Sequence, residues 1–148
     1  MAIDIREIRE DHSLYEEALD LRYKLFFEEH GLPKSVTADD LESVSDHCVV
    51  LADGAFVAYG RLSPLGSGTY RISQIVVPEE HRRNGYATML INKLIEMAAR
   101  RNGKSIQLNA QTAVTNLYSS IGFQPFGDPY SVKLTGVEHV KMVYEINM

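Results

Sequence analysis

The sequence predicts a single α/β domain over residues 1–148, a mixed, largely antiparallel sheet flanked by helices, in the order β-α-α-β-β-β-α-β-α-β-β. Three observations carry this. Alternating apolar stretches joined by tight turns fill residues 46–77, the pattern of an antiparallel meander. Apolar residues recur at helical spacing over 14–25 and again over 85–101. After residue 103 a strand, a short helix and a last strand follow, with no repeat or low-complexity tract between them.

Each element has its own signal. Ile3, Ile5 and Ile8 mark the first strand. Ser13 and Glu16 have capping-box spacing, and Leu14, Ala18, Leu21 and Leu25 follow, so a helix is expected to about Glu29, stopped by Gly31 and Pro33. A second short helix is expected from Thr37, with Asp39 and Asp40 in its positive first turn. Strands at 46–52, 55–63 and 69–77 are joined by Asp53-Gly54 and by Gly66-Ser67-Gly68. The clearest helix runs from about Gly85 to Arg101 and is expected to bury Met89, Leu90, Leu94, Ile95 and Ala98. Arg100 and Arg101 suit its negative end, and Gly103 lies beyond. Ser105 to Ala110 alternates as a strand, and Ala113 to Ile121 reads as a helix closed by Gly122. Pro125 and Pro129 interrupt the stretch after it, and His139 to Ile146 forms the last strand.

Composition narrows the function. With 45% apolar and 24% charged residues the chain is ordinary globular protein, not a disordered, collagen-like or coiled-coil one. One cysteine, Cys48, excludes an intramolecular disulfide and a thiolate zinc cluster. No pair among His12, His30, His47, His81 and His139 has a recognisable ligand spacing, so no metal is expected. No apolar run approaches the ~18 residues of a membrane span, and MAIDIREIRE is too charged for a secretory signal; the expected setting is cytoplasmic, with no membrane partner. The net charge of −5 hides a split. Residues 1–70 hold 6 basic and 14 acidic side chains, residues 71–148 hold 9 and 6, and the stretch 71–110 holds 7 and 3. The overall sign, the few bases and the lack of an aromatic platform argue against a nucleic-acid partner.

The chemistry concentrates in residues 72–89, ISQIVVPEEHRRNGYATM. An apolar strand ends at Pro78, and a basic loop with Gly85 opens the long helix. A helix N-terminus presents unpaired N–H groups and positive dipole charge, a ready anion site, and Arg82 and Arg83 add charge beside it. Asn84-Gly85 as a hairpin turn would require a strand to follow, but a helical pattern does. The stretch lacks both the GK[ST] of a P-loop and the GxGxxG of a dinucleotide site.

Arg82-Arg83-Asn84-Gly85-Tyr86-Ala87 matches the Q/R-x-x-G-x-G/A signature of the GNAT superfamily of acyl-CoA N-acyltransferases, and Leu117-Tyr118-Ser119-Ser120-Ile121-Gly122-Phe123 resembles that family's LYxxxGF segment. The element order agrees from about residue 2 to residue 146. LRYKLFFEEHGLP (Leu21 to Pro33), the region from DDLES to His47, LNAQ (Leu108 to Gln111) and GVEHVKM (Gly136 to Met142) resemble the ElaA-like bacterial branch. The resemblance implies acetyl-CoA as co-substrate and an amine as acceptor. Ile75, Val76 and Val77 would offer backbone groups to the pantetheine arm where the fourth and fifth strands splay. Arg82, Arg83, Asn84, Gly85, Tyr86, Ala87 and Thr88 would cradle the pyrophosphate, Gln111 would add a coenzyme contact, and Tyr118 would protonate the departing thiolate after direct attack by the amine. Relatives commonly form homodimers.

The sequence departs from the family in three places. Pro78 to Arg82 is one residue longer than usual, so His81 is a candidate to displace Arg82. Gln111 stands where many members carry asparagine. The fourth strand offers Thr69, Tyr70, Arg71, Ser73 and Gln74 but no carboxylate for a general base, leaving His47, His139, Glu29 or water. Cys48 between strand residues reads as a buried inert thiol, not an acyl carrier. Glu28, Glu29, Asp39, Asp40, Glu42, Asp128 and Glu138 lie in the segments expected to face the acceptor, either drawing a cationic amine or forming a solvated acidic face. The missing carboxylate also keeps open a second class of function, a catalytically silent acyl-CoA-binding or sensor module.

Overall fold

The alternating stretches join into one eight-stranded sheet in the computed structural model, which describes residues 2–146. Its strands are β1 (Ile3–Ile8), β2 (Asp46–Ala52), β3 (Ala55–Gly66), β4 (Thr69–Val76), β5 (Ser105–Gln111), β6 (Gln124–Pro125), β7 (Tyr130–Ser131) and β8 (Glu138–Glu145). They lie in the order β1-β2-β3-β4-β5-β8-β6, with β7 also paired to β8. Helices α1 (Ser13–Phe26), α2 (Tyr86–Arg100) and α3 (Thr115–Ile121) flank the sheet. The pairings are antiparallel except β4 with β5, which run parallel because α2 carries the chain back across the sheet between them. This is the mixed, largely antiparallel sheet that the sequence predicts.

The two faces have separate cores. On one, Tyr15 and Ala18 of α1 pack with Ile8, Val49, Leu51 and Tyr59. On the other, Leu90, Ile91, Leu94, Met97 and Ala98 of α2 cover Cys48, Val50, Leu62, Ile72 and Ile106. The Tyr86 side chain is buried in the first turn of α2, which sets the helix's apolar stripe through 90, 94, 97 and 98. Met89, expected inside, therefore falls at the edge of the stripe and is 37% exposed. At α1 the cap also differs from expectation. His12, not Ser13, is the N-cap residue, its Nδ1 accepting the Leu14 N–H at 3.1 Å, and the helix ends at Phe26, short of Glu29.

The helix expected from Thr37 does not form. Residues 28–44 hold three separate 3-10 turns, Glu28–His30, Lys34–Val36 and Glu42–Val44. Asp39 does accept the Leu41 N–H at 2.9 Å, as at a helix start, but its carboxylate is also drawn to β3. Asp39 takes both terminal nitrogens of Arg61, at 2.8 and 3.0 Å. Glu42 takes Arg22 Nη1 and Nη2 at 2.8 and 2.9 Å, Arg61 Nη1 at 2.7 Å, the Tyr15 hydroxyl at 2.8 Å and the Asp39 N–H at 3.1 Å. Arg22 also donates to the Thr37 carbonyl at 2.8 Å. Arg22, Arg61 and Glu42 are all buried, so this pairing fixes α1, the loop and β3 against one another.

His47, a candidate base, belongs to the same interior. It is fully buried on β2, with Nε2 2.9 Å from the Glu42 carbonyl and Nδ1 2.6 Å from the Tyr59 hydroxyl. A carbonyl only accepts, so Nε2 carries the proton and Nδ1 accepts from Tyr59. The ring has no nitrogen left for an acceptor amine, and its role is structural.

These groups set the response to acid. Burial alone would raise the Glu42 carboxyl, but hydrogen bonds and charge from Arg22 outweigh it and hold the pKa at about 2. Burial lowers the His47 pKa, against the bond to the Glu42 carbonyl. Both groups bind protons more readily when unfolded, so both contribute stability at neutral pH that is lost as pH falls. Denaturant midpoints are expected to decline below about 6.5 through His47, then more steeply between 4.5 and about 2 through Glu42. Glu42→Gln is expected to cost about 3–5 kcal/mol at neutral pH and to remove the lower limb. A variant as stable as the parent would show that the two arginines do not depend on this carboxylate.

Candidate active site

The parallel ladder between β4 and β5 is short. It joins Thr69 to Ser105, Tyr70 to Ile106 and Arg71 to Gln107, and stops. Beyond it, residues 72–77 and 108–111 have no ladder between them. A bulge begins the divergence, because Tyr59 pairs with Val76 while Arg61 pairs with Ser73, two steps on β3 against three on β4. Gln74 sits in the bulge with φ +60°, and its Oε1 accepts from Arg22 Nε at 3.3 Å. Gly60 lies opposite, where a Cβ would come within 2.7 Å of Ile75 Cδ1 and 3.0 Å of Leu90 Cδ2. The bulged strand can close down on β3 there because no side chain intervenes.

A cavity of about 880 Å³ opens along this gap. Ile75 of β4 and Val77 just after it line the cavity, with Gln111 from the end of β5 and Tyr118 from α3. Arg82, Arg83 and Gly85 line it from the loop, followed by Tyr86, Ala87 and Thr88 in the first turn of α2. Two predicted residues do not form its wall. The Val76 side chain is 1% exposed in the core, and Asn84 closes the loop by donating to the His81 and Arg82 carbonyls at 3.1 and 3.2 Å.

The stretch between Pro78 and Arg82 forms the 3-10 turn Glu79–His81. His81 ends that turn and Arg82 follows it directly. Both line the cavity, and Arg82 Nε donates to the Val77 carbonyl at 3.0 Å. Gly85 caps α2 with φ +80°, and nothing lies within 4 Å of where its Cβ would be. Its need for glycine is conformational rather than steric. The amides of Ala87 and Thr88 follow in the first turn, which has no preceding helical carbonyl to bond.

Tyr118 is buried edge-on against Phe123, centroids 6.1 Å apart. Burial pushes its pKa up to about 12, so the phenol keeps its proton at neutral pH. His139 of β8 lies in register with Gln111 and lines the cavity. Its Nδ1 donates to the Val137 carbonyl at 3.0 Å, which leaves the lone pair of the neutral ring on Nε2. Glu29 also lines the cavity, but its side chain is 76% exposed beside His30. The other acidic residues expected to face the acceptor are absent from the described wall. Asp39 and Glu42 are paired to arginines, and Glu138 accepts from the Thr112 hydroxyl at 2.9 Å.

Sequence reasoning missed several wall residues, namely Arg71, Ser73 and Gln74 on β4, Asn109 on β5 and Tyr130 on β7. A signal was present in the alternation. Arg71 and Ser73 flank buried Ile72, and Asn109 lies between buried Leu108 and Ala110, so all three side chains belong to the face away from α2. Among the described residues no group of three or more His, Cys, Asp and Glu is placed to hold a metal ion, and no helix is long and apolar enough to cross a membrane.

A strand pair held apart by a bulge, with a helix start at one side and a tyrosine helix at the other, is the architecture of the acetyltransferases. Residues 6–123 match the model of the acetyltransferase (GNAT) family, and the chain belongs to that family. A UPF0039 protein of Schizosaccharomyces pombe is 32% identical over 111 residues, 73% of each chain. Protein ElaA of Escherichia coli is 28% identical over 132 residues, 86% of this chain and 85% of that one. The crystal structure of Escherichia coli ElaA superposes with a TM-score of 0.81 over 97% of this chain and all of that one, at 24% identity. An aminoglycoside 6'-N-acetyltransferase crystallised with coenzyme A has the same fold, with a TM-score of 0.78 and 98% coverage of both chains at 16% identity.

Cys48 is fully buried under α2, and burial pushes its thiol up to about 12. It is expected to stay unreactive toward an aromatic disulfide reagent at mildly alkaline pH until denaturant unfolds the chain. Rapid labelling of the native protein would place the thiol within reach of the cavity instead.

Proposed function

We propose that residues 1–148 act as one cytoplasmic domain, an N-acetyltransferase that moves an acetyl group from acetyl-CoA to a primary amine of a small molecule or peptide by direct attack. One observation carries this reading: the gap in the sheet, the start of α2 and Tyr118 open into the same cavity. Backbone groups of Ile75, Val76 and Val77 lie where an extended pantetheine arm would add to β4, although the Val77 carbonyl is already used by Arg82. Arg82, Arg83 and Gly85, with Tyr86, Ala87 and Thr88, suit a pyrophosphate in both charge and backbone. Asn84 holds that loop shut, and Gln111 borders the arm from β5. When bound, acetyl-CoA supplies an activated thioester.

The chain supplies the proton traffic. Tyr118 keeps its proton in the neutral range and gives it to the departing sulfur. His139 takes a proton from the acceptor ammonium at Nε2, because Nδ1 is committed to Val137. The two buried bonds of His47, and the solvent exposure of Glu29 with its carboxylate 3.5 Å from His30 Nε2, favour His139 over both. Cys48 is buried, so direct transfer needs no acyl-enzyme.

Incubation with acetyl-CoA and a broad amine panel, with free-thiol detection, is expected to show turnover. Protection of the fold by acetyl-CoA with no thiol release from any amine would support the silent binding module instead. Tyr118→Phe is expected to lower kcat by about 10²–10⁴ while calorimetry shows unchanged acetyl-CoA affinity. Unchanged turnover would remove Tyr118 from the acid role. His139→Ala is expected to lose activity that added imidazole restores, and failure of that rescue would leave the proton to water.

A further inference from the structure

The acceptor side of the cavity is short of anions and holds one unmatched cation among the described residues. Three polar residues of β4 reach the wall, Arg71, Ser73 and Gln74. Two are already used, since Ser73 Oγ accepts from Arg61 Nε at 3.1 Å and Gln74 Oε1 accepts from Arg22 Nε. The arginines behind them are themselves matched to Glu42 and Asp39. Arg71 differs. Its Nε is shielded from solvent and has no hydrogen-bond partner, and no carboxylate among the described residues lies within ion-pair distance of it. Buried polar groups are nearly always satisfied, and one lining a cavity is an opening for a ligand. A guanidinium offers a planar fork that fits a carboxylate through two parallel bonds. Glu29, the one acidic residue among the described wall residues, points its side chain largely into solvent and does not compete.

We propose that Arg71 binds a carboxylate on the acceptor, so that the substrate class is an amine that also carries a carboxylate, as an amino acid does. This rests on the acetyltransferase reading and narrows it. The amine is held toward His139 and the thioester while the carboxylate lies on Arg71 at the closed end of the gap, beside the last parallel pair, Arg71 with Gln107. The acceptor is then chosen by a cation on β4, not by the acidic first half of the chain.

The test compares L-amino acids of apolar, basic and acidic side chain with their amides, in the parent, Arg71→Gln and Arg71→Lys. Binding is read by calorimetry with coenzyme A present, and turnover by thiol release with acetyl-CoA. At least one acid is expected to bind about tenfold or more tightly than its amide in the parent. Arg71→Gln is expected to abolish that preference with acetyl-CoA affinity and melting temperature unchanged. Arg71→Lys, which keeps charge but loses the fork, is expected to retain only part of it and serves alone should Arg71→Gln fail to fold. No acid-over-amide preference in the parent would overturn the proposal, as would a loss of acetyl-CoA affinity in Arg71→Gln, which would assign Arg71 to the donor. If no amine releases thiol, the acetyltransferase reading fails, and the calorimetric ratio still decides Arg71.

Discussion

The Glu42 carboxylate, held between Arg22 and Arg61, is the contact on which the acceptor side of the molecule depends. Residues 27–45 form no α-helix or strand and would have little reason to adopt one shape. Removing three ionised groups from water is costly, and the cost is met only if each finds its partners at close range. That condition leaves the loop one arrangement, with Asp39 folded back on Arg61 and the Thr37 carbonyl on Arg22. The same arginine reaches Gln74, so the loop geometry extends to the bulge where β4 leaves β5. The loop, α1 and the opening of the sheet are therefore one construction.

The charge asymmetry of the sequence takes on a different meaning in this light. Part of the acidic excess in the first half is consumed internally, by Arg22 and Arg61 of that same half. Another part joins the two halves. Arg100 pairs with Glu7 at 2.8 Å, Arg101 pairs with Asp46, and Lys93 lies 3.9 Å from Glu7, so α2 is tied to β1 and β2. Among the described residues, Glu29 is the one carboxylate that the acidic half leaves on the cavity wall. The basic excess of residues 71–110 does reach the wall, through Arg71, Arg82 and Arg83.

Elements ruled by local pattern were legible in the sequence. The meander, α2, α3 with Gly122 behind it, and the cap at Gly85 all follow from spacing and turn chemistry over a few residues. The site loop and Tyr118 were legible for the same reason, as two short motifs in the right order. The region from Thr37 to Ser45 was not. Asp39 is a good helix starter locally and accepts the Leu41 N–H, but its carboxylate also pairs with Arg61, 22 residues away, and the loop is shaped by that pair and by Glu42 rather than by a helix. His47 failed as a candidate base because nothing in its neighbours along the chain reveals that Tyr59 and the Glu42 carbonyl meet it. Arg71 was legible as a polar residue of β4, while its lack of a partner is a property of the folded molecule alone.

The gap between β4 and β5 also has a consequence for solubility. Two strand edges with unpaired backbone are a template for any extended chain, and sheet proteins generally protect such edges from one another. Here the protection comes from position. The interior edges are only a few residues long, blocked at one end by the ladder from Thr69 to Arg71 and at the other by the 3-10 turn after Pro78. A strand from another molecule would have nowhere to continue. The outer edges are guarded by other means, with Asp4, Arg6 and Glu7 along β1 and Pro125 in the two residues of β6. The molecule thus keeps an incomplete sheet in its interior, open to a short extended ligand and closed to a polymerising one.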